Sequence, residues 1–256
     1  MKTNHNWLKI TEKLGLLLMI GVSMSACSAT WKEEALQNDG STIMVERSVE
    51  RGGRHEIGQE PPIKQQSLSF TMPNTNQTVT WEDKYSEDVG SSSFLPMMLA
   101  VSKDIAYLVV NPMGCLSYNK WGRPNPPYVV FKYQNNTWQR ILLSELPIEY
   151  KQLNLAFSEP DGAAKEAIHG VLTVAQIRKW NSDGVTQPEY RTILRTPVFG
   201  RDSESSCINV VSDGRGGWLG IDWFTNQTTL DGCLNVCRLQ SLSPQYCPCN
   251  SLFKGK

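Results

Sequence analysis

From Ile63 onward, apolar and polar residues alternate in short segments that are separated by residues favouring turns. These segments are rich in β-branched and aromatic side chains, a composition typical of half-buried antiparallel strands. Asn135 and Asn136 lie between two of them and tolerate the positive φ angles of a hairpin turn. The predicted strands are Gln66–Thr71, Gln77–Trp81, Met97–Val101, Ala106–Val110, Tyr128–Tyr133, Thr137–Leu143, Tyr190–Leu194, Ile208–Val211 and Leu219–Phe224.

Two segments have the spacing and end signals of helices. Thr173 can cap a helix over Val174–Trp180. Thr228 or Thr229 can cap a second helix through LDGCLNVCRLQSL, with Pro244 just beyond its end. The sequence therefore predicts a β-rich α+β protein, in which an antiparallel sheet domain carries a helical C-terminal cap.

Composition and charge exclude two classes of function. The 256 residues are 40% hydrophobic and 20% charged, which is ordinary for a globular chain. The 25 Lys and Arg residues are balanced by 25 Asp and Glu residues, so no net positive field favours a nucleic-acid partner. No apolar run reaches the roughly 20 residues of a membrane-spanning helix, which excludes a polytopic membrane protein.

The N-terminus has the order of a secretory signal, in which positive residues precede apolar and then small residues. Three lysines precede the apolar run LGLLLMIGVSM, and Ser25 and Ala26 follow it. The sequence MSAC that ends at Cys27 resembles the lipobox of bacterial lipoproteins, with Met24 where Leu is usual. The resemblance implies cleavage before Cys27, a thioether-linked diacylglycerol on its sulfur and acylation of the new N-terminus. Because Ser28 rather than Asp follows, it also implies anchoring to the outer membrane, facing the periplasm.

Residues 27–62, which follow a signal peptide of residues 1–26, are mostly polar and charged. Only Thr42–Val45 among them could form a strand. We therefore expect a polar tether with a random-coil reach of roughly 30–35 Å. Such a tether would hold a folded domain at 63–256 clear of the lipid headgroups.

Six cysteines follow Cys27, and an even number in an exported protein is typical of a disulfide framework. The rival interpretation is a zinc site formed by the last four, although their C-x3-C and C-x-C spacing departs from the usual C-x2-C pairs. No other metal or cofactor is indicated. The six are Cys115, Cys207, Cys233, Cys237, Cys247 and Cys249.

Helix geometry narrows the pairing of these cysteines. Cys233 and Cys237 lie four residues apart on one helix face, with Cβ atoms roughly 5–6 Å apart, whereas a disulfide needs about 3.5–4.5 Å. Cys247 and Cys249 lie in a predicted extended segment that runs back along the helix, and alternate residues of such a segment face the same way. The predicted bridges are Cys237–Cys247, Cys233–Cys249 and, from the remaining pair, Cys115–Cys207.

Catalytic motifs are weakly indicated. The mature chain has two histidines, His55 and His169, and it lacks the G-x-S-x-G and H-E-x-x-H patterns. The segment 214–220 has the glycines of a phosphate-binding loop but Leu219 where that pattern needs glycine, so it predicts a turn leading into a strand. Paired carboxylates could serve glycoside hydrolysis, although solvated charge is their ordinary explanation. The candidate carboxylates are Glu82, Asp83, Glu87, Asp88, Asp202 and Glu204.

The segment 121–128 combines three prolines with aromatic and guanidinium side chains. Prolines stiffen a loop towards polyproline II, so that the loop loses little entropy on binding. Trp, Tyr and Arg are also enriched among the residues that dominate interfaces. Trp121, Arg123 and Tyr128 are therefore the candidate partner-binding residues. The alternative is that the prolines set the direction of the following strand while Trp121 packs beneath it.

These features favour a non-enzymatic lipoprotein that is anchored to the outer membrane by its lipid and binds a protein partner in the periplasm. Immunity to a secreted toxin, assembly of an envelope machine and chaperoning are all compatible with the sequence. The alternative is a periplasmic hydrolase that acts on cell-wall glycan or peptide through carboxylates.

Overall fold

Two sheets form the body of the molecule. The structure is a computed structural model that describes residues 28–53, 55–167, 170–183, 186–198 and 206–253. The strands of this part of the chain are β1 (Ser28–Leu36), β2 (Thr42–Arg51), β3 (Ile63–Thr71), β4 (Thr78–Asp83), β5 (Phe94–Ser102), β6 (Ile105–Pro112), β7 (Val129–Gln134), β8 (Thr137–Ile141), β9 (Val171–Leu172), β10 (Val210–Ser212) and β11 (Trp218–Gly220). A five-stranded sheet has the order β4-β3-β2-β1-β9, and a four-stranded sheet has the order β5-β6-β7-β8.

Short helices join the strands, and three of them lie in the C-terminal cap, residues 206–253. The helices are α1 (Gly114–Lys120), α2 (Pro160–Glu166), α3 (Val174–Asp183), α4 (Asp222–Thr225), α5 (Leu230–Leu239) and α6 (Cys249–Leu252). None of these described helices is long and apolar enough to cross a membrane. The predicted α+β class, with a disulfide-stapled C-terminal helix, is confirmed.

The main core lies between the two large sheets. Val45 and Leu68 of the five-stranded sheet share one fully buried cluster with Leu108 of the four-stranded sheet. The four-stranded sheet is also covered on its other face, by segments 146–157 and 190–194. Burial on both faces explains why β5 and β6 are continuously apolar, whereas the strands of the five-stranded sheet alternate.

The N-terminal segment is the main departure from the sequence prediction. Most of the expected polar tether, residues 27–62, instead forms β1 and β2, which pair with each other along their full lengths. Alternate residues of both strands, such as Trp31 and Val45, face the core. The prediction was wrong because the exposed face is highly charged and because two charged residues, Glu33 and Arg47, also face inward. A domain boundary at 63 is wrong for the same reason.

Glu33 and Arg47 form an ion pair that is buried in the sandwich. Arg47 Nη1 lies 3.1 Å from Glu33 Oε1 and donates to the Ala156 carbonyl oxygen at 2.9 Å. The Ala156 N–H in turn donates to Glu33 Oε2 at 2.8 Å. Burial raises the pKa of the Glu33 carboxyl, and the Arg47 charge opposes that shift. The pair therefore ties β1 and β2 to the segment that covers the four-stranded sheet.

Turn and cap residues lie where the sequence predicts them. Asn135 and Asn136 adopt φ angles of 52° and 61° in the turn between β7 and β8. The Thr173 hydroxyl accepts a hydrogen bond from a backbone N–H in the first turn of α3, at 3.4 Å. The Thr229 hydroxyl does the same for α5 at 3.1 Å. These local signals therefore predict the helix starts correctly.

Two predicted strands do not form as expected. Tyr190–Leu194 is wrong, because Pro188–Tyr190 is a 3-10 turn and only Thr192 makes a bridge, to Gln152. Its apolar side chains cover the outer face of the four-stranded sheet instead of extending a ladder. The prediction Leu219–Phe224 is too long, because β11 is followed at once by α4.

We expect Arg47→Met to lower the free energy of unfolding at pH 7 by about 3–5 kcal/mol, because the Glu33 charge is left buried without a partner. Burial then raises the pKa of Glu33 further above its unfolded value. Relative to the parent protein, the Glu33 contribution to stability is therefore most favourable below about pH 4.3 and is lost as the pH rises toward that raised pKa. Urea unfolding between pH 4 and pH 8 measures this dependence.

The double variant Glu33→Leu/Arg47→Met is the control for the ion pair. Because it contains neither buried charge, it is expected to recover most of the lost stability and to lack the added pH dependence. An Arg47→Met variant whose stability runs parallel to that of the parent protein at every pH would contradict this account of Glu33.

Candidate functional site

Several residues that the sequence singles out lie outside the described part of the chain. They include Cys27, the predicted lipid-attachment residue, and His169. The carboxylates Asp202 and Glu204 also lie there. His55 is described and is exposed in the loop between β2 and β3.

The three disulfides have the predicted pairing. The first joins α1 to the start of the cap, and the other two join α5 to the end of the cap, with Cα separations of 4.8, 5.7 and 5.7 Å. The predicted extended Cys-Pro-Cys segment is wrong, because α6 already begins at its second cysteine. Sulfurs bonded in pairs do not offer the thiolates that the rival zinc site needs. The bridges are Cys115–Cys207, Cys233–Cys249 and Cys237–Cys247.

The 121–128 loop packs against the sandwich. Trp121 is half-buried, with its ring centroid 4.6 Å from that of Phe94. Tyr128 is 4% exposed, and its hydroxyl donates to the Glu189 carbonyl oxygen at 2.6 Å. Burial raises the pKa of Tyr128. Tyr128 therefore does not offer the exposed surface expected of it, and Trp121 packs against the core, as in the alternative.

Arg123 fastens the cap to the sandwich. Its guanidinium donates to the carbonyl oxygens of Ile208 and Val210, where the chain enters β10. The same group donates to Asn119 Oδ1 of α1 at 3.0 Å. These internal hydrogen bonds account for an arginine at this position of the loop, and no external partner is needed to explain it. Arg123 and the first disulfide therefore hold the same end of the cap.

The described carboxylates considered for hydrolysis serve separate contacts. Asp83 is buried and accepts hydrogen bonds from two backbone N–H groups at 2.9 and 2.8 Å. Its neighbour Glu82 points to the opposite, exposed face of β4. Asp88 accepts a hydrogen bond from Lys120 Nζ at 2.8 Å. Asp83 and Glu82 therefore point away from each other rather than toward one ligand.

A cavity of about 590 Å³ opens where β1 and β5, one strand from each large sheet, approach α3. Pairing with β9 covers β1 only at Lys32 and Glu33, so the end of β1 reaches the cavity. Among the residues that the structure describes, neither cation of the lining has an ion-pair partner. The charged lining residues are Glu34, Glu149, Lys151 and Arg178.

Two side-chain amides form the polar floor of this cavity. Asn154 accepts from the Leu99 N–H at 2.8 Å and donates to the Leu99 and Leu36 carbonyl oxygens at 2.7 and 2.8 Å. Gln37 likewise accepts from the Val101 N–H at 2.9 Å. These amides satisfy backbone groups at both strand edges, and each donates both of its N–H groups to backbone carbonyl oxygens. No sequence motif marks the cavity, since its residues come from four separate segments.

No protein-family model, curated protein or solved structure matches this chain. The proposed function therefore rests on the cavity, the cap and the N-terminal motif.

We expect Arg123→Met to loosen the cap while leaving the sandwich intact. Hydrogen bonds to a charged group contribute about 1.5–3 kcal/mol each, and the carbonyl oxygens at 208 and 210 would lose them. Amide hydrogen exchange should therefore quicken in β10 and β11 and stay slow in β6. Arg178→Met, which changes an exposed arginine, is the control. Unchanged protection of β10 would contradict a fastening role for Arg123.

Proposed function

We propose that the protein is an outer-membrane lipoprotein that faces the periplasm and binds a protein partner there without catalysing a reaction. The observation that carries this proposal is the lipobox-like sequence ending at Cys27, which immediately precedes β1 at Ser28. The three disulfides support it, because such bridges persist in oxidising compartments.

The position of β1 changes how such an anchor would work. Because β1 begins one residue after Cys27, a lipid on that cysteine would hold the sandwich against the membrane surface. Ser28 pairs with Glu50, so the loop 52–62 leaves the same end of the five-stranded sheet. This end of the sheet would face the headgroups, and the partner would approach from the other sides.

The cavity between the strand edges is the proposed binding site for the partner. Its rim carries two acidic and two basic side chains, and its floor carries amides. A polypeptide segment offers charges of both signs and is therefore complementary to the charged rim. The buried carboxylates Glu33 and Asp83 are held by structural hydrogen bonds, which favours binding over catalysis.

We expect Cys27→Ala to abolish acylation, because the thioether forms on this sulfur. Growth with an alkyne fatty acid, followed by gel detection of the labelled protein, measures the modification. Ser28→Asp is the matched control, since it should keep the label and shift the protein toward the inner membrane. Undiminished labelling of Cys27→Ala would overturn the anchoring proposal.

We expect the double variant Lys151→Glu/Arg178→Glu to weaken partner binding at least about fivefold, the effect of a residue that matters to an interface. A photo-crosslinking amino acid at Gln152, an exposed lining residue, would capture the partner in intact envelopes. Lys165→Glu changes an exposed charge on α2 and is the control.

An unchanged yield of the crosslinked product in the double variant would contradict binding at the cavity. Release of soluble cell-wall fragments by the purified protein would contradict a role without catalysis and would favour a hydrolase.

A further inference from the structure

The cap exposes two large aromatic side chains on an otherwise stapled unit. Trp218 is 44% exposed and Trp223 is 53% exposed. Around them, two disulfides and the buried Phe224 fix the cap from within. Apolar surface that is exposed to water is unfavourable, and burying it against a ligand lowers the free energy. Contiguous exposed apolar patches therefore mark interaction sites.

The two indoles share one face of the β10–β11 hairpin. Side chains two residues apart on a strand point the same way, so Trp218 and position 220 face the same side of β11. Position 220 is glycine, and the ring atom Trp223 Cδ1 would lie 3.8 Å from a Cβ built there. The Trp223 ring therefore lies beside the space that Gly220 leaves open, next in line to Trp218.

Polar groups border the aromatic surface. A shallow pocket of about 430 Å³ is lined by Trp223 and Val236 together with the polar residues Asp222, Asn226 and Gln227, and it lies on the Trp223 side of the aromatic surface. Gln227 Nε2 donates to the Trp223 carbonyl oxygen at 3.2 Å, which orients that amide. Within the described part of the chain, the side chains of Asp222 and Asn226 make no hydrogen bond or ion pair. One carboxylate and one amide are thus free to bind a ligand that lies on the indoles.

We propose that this tryptophan platform, formed by Trp218, Trp223, Asp222 and Asn226, binds the pyranose sugars of an envelope glycan. A pyranose presents a flat face of C–H groups, which stacks on an indole, and a rim of hydroxyls. Those hydroxyls can donate to a carboxylate, and they can both donate to and accept from a side-chain amide. The disulfides fix the platform in advance and so lower the entropy lost on binding.

The platform is a different surface from the cavity at the strand edges. Its chemistry does not depend on the proposed function, whereas the choice of an envelope glycan rests on the proposed envelope location. Two glycans of that compartment share the required chemistry: the cell-wall polymer and the saccharide of lipopolysaccharide. Both present pyranose rings, so the platform predicts binding to at least one of them.

Co-sedimentation tests the platform directly. The purified mature protein in detergent micelles is mixed with insoluble cell-wall sacculi and centrifuged, and a parallel arm uses immobilised lipopolysaccharide. We expect Trp223→Ala and Trp218→Ala each to weaken binding at least about fivefold. Asn226→Ala should weaken it as well. Tyr85→Ala removes an aromatic ring that is 47% exposed on the sandwich and should leave binding unchanged.

The two arms identify the source of the glycan, and binding in either arm that depends on the platform supports the proposal. Binding in neither arm, or binding that both tryptophan variants retain in full, would overturn it. Circular dichroism of each variant separates loss of the site from loss of the fold. Because the assay does not require the acyl chain, the two proposals fail separately. If the parent protein carries no acyl chain in cells but still binds through the platform, the anchor is refuted and the platform is not.

Discussion

A charged pair is stable inside an apolar core only when its polar atoms find partners, and Glu33 and Arg47 meet this condition through the backbone of Ala156. Without these contacts, β1 and β2 would place two uncompensated charges inside the sandwich. With these contacts in place, β1 and β2 occupy inner positions of the five-stranded sheet. The segment around Ala156 is held at the same point, and its neighbour Asn154 shapes the floor of the cavity.

The cap depends on a second set of constraints. One disulfide and the Arg123 guanidinium bind it to the sandwich, whereas two disulfides organise its interior. The proline-rich loop supplies this arginine, so its stiffness serves an internal contact. Both proposed surfaces follow from this division, since the cavity belongs to the sandwich and the tryptophan platform belongs to the cap.

Much of the fold could be predicted from local pattern, but little of the site could be. The hairpin asparagines and the threonine caps act within a few residues, and each lies where the pattern placed it. Strand alternation predicted most strands of the four-stranded sheet but missed β1 and most of β2, whose exposed faces are charged. The cavity combines Glu34, Glu149, Lys151 and Arg178, which are distant in sequence and carry no motif. Trp223 was assigned to a strand, and its exposure on α4 depends on where β11 ends.

The sequence by itself determined that Cys233 and Cys237 bond to other cysteines, because their spacing on one helix face is too wide for a bridge between them. Only the tertiary structure decided which of the ambiguous residues lie inside the protein and which lie on its surface. Aromatic side chains such as Trp121 and Tyr128 occur both in cores and at interfaces, and here Tyr128 is buried while Trp121 packs against Phe94 and is half-buried. Glu33 and Arg47 look solvated in a polar segment, and they are inside because each neutralises the other across two paired strands.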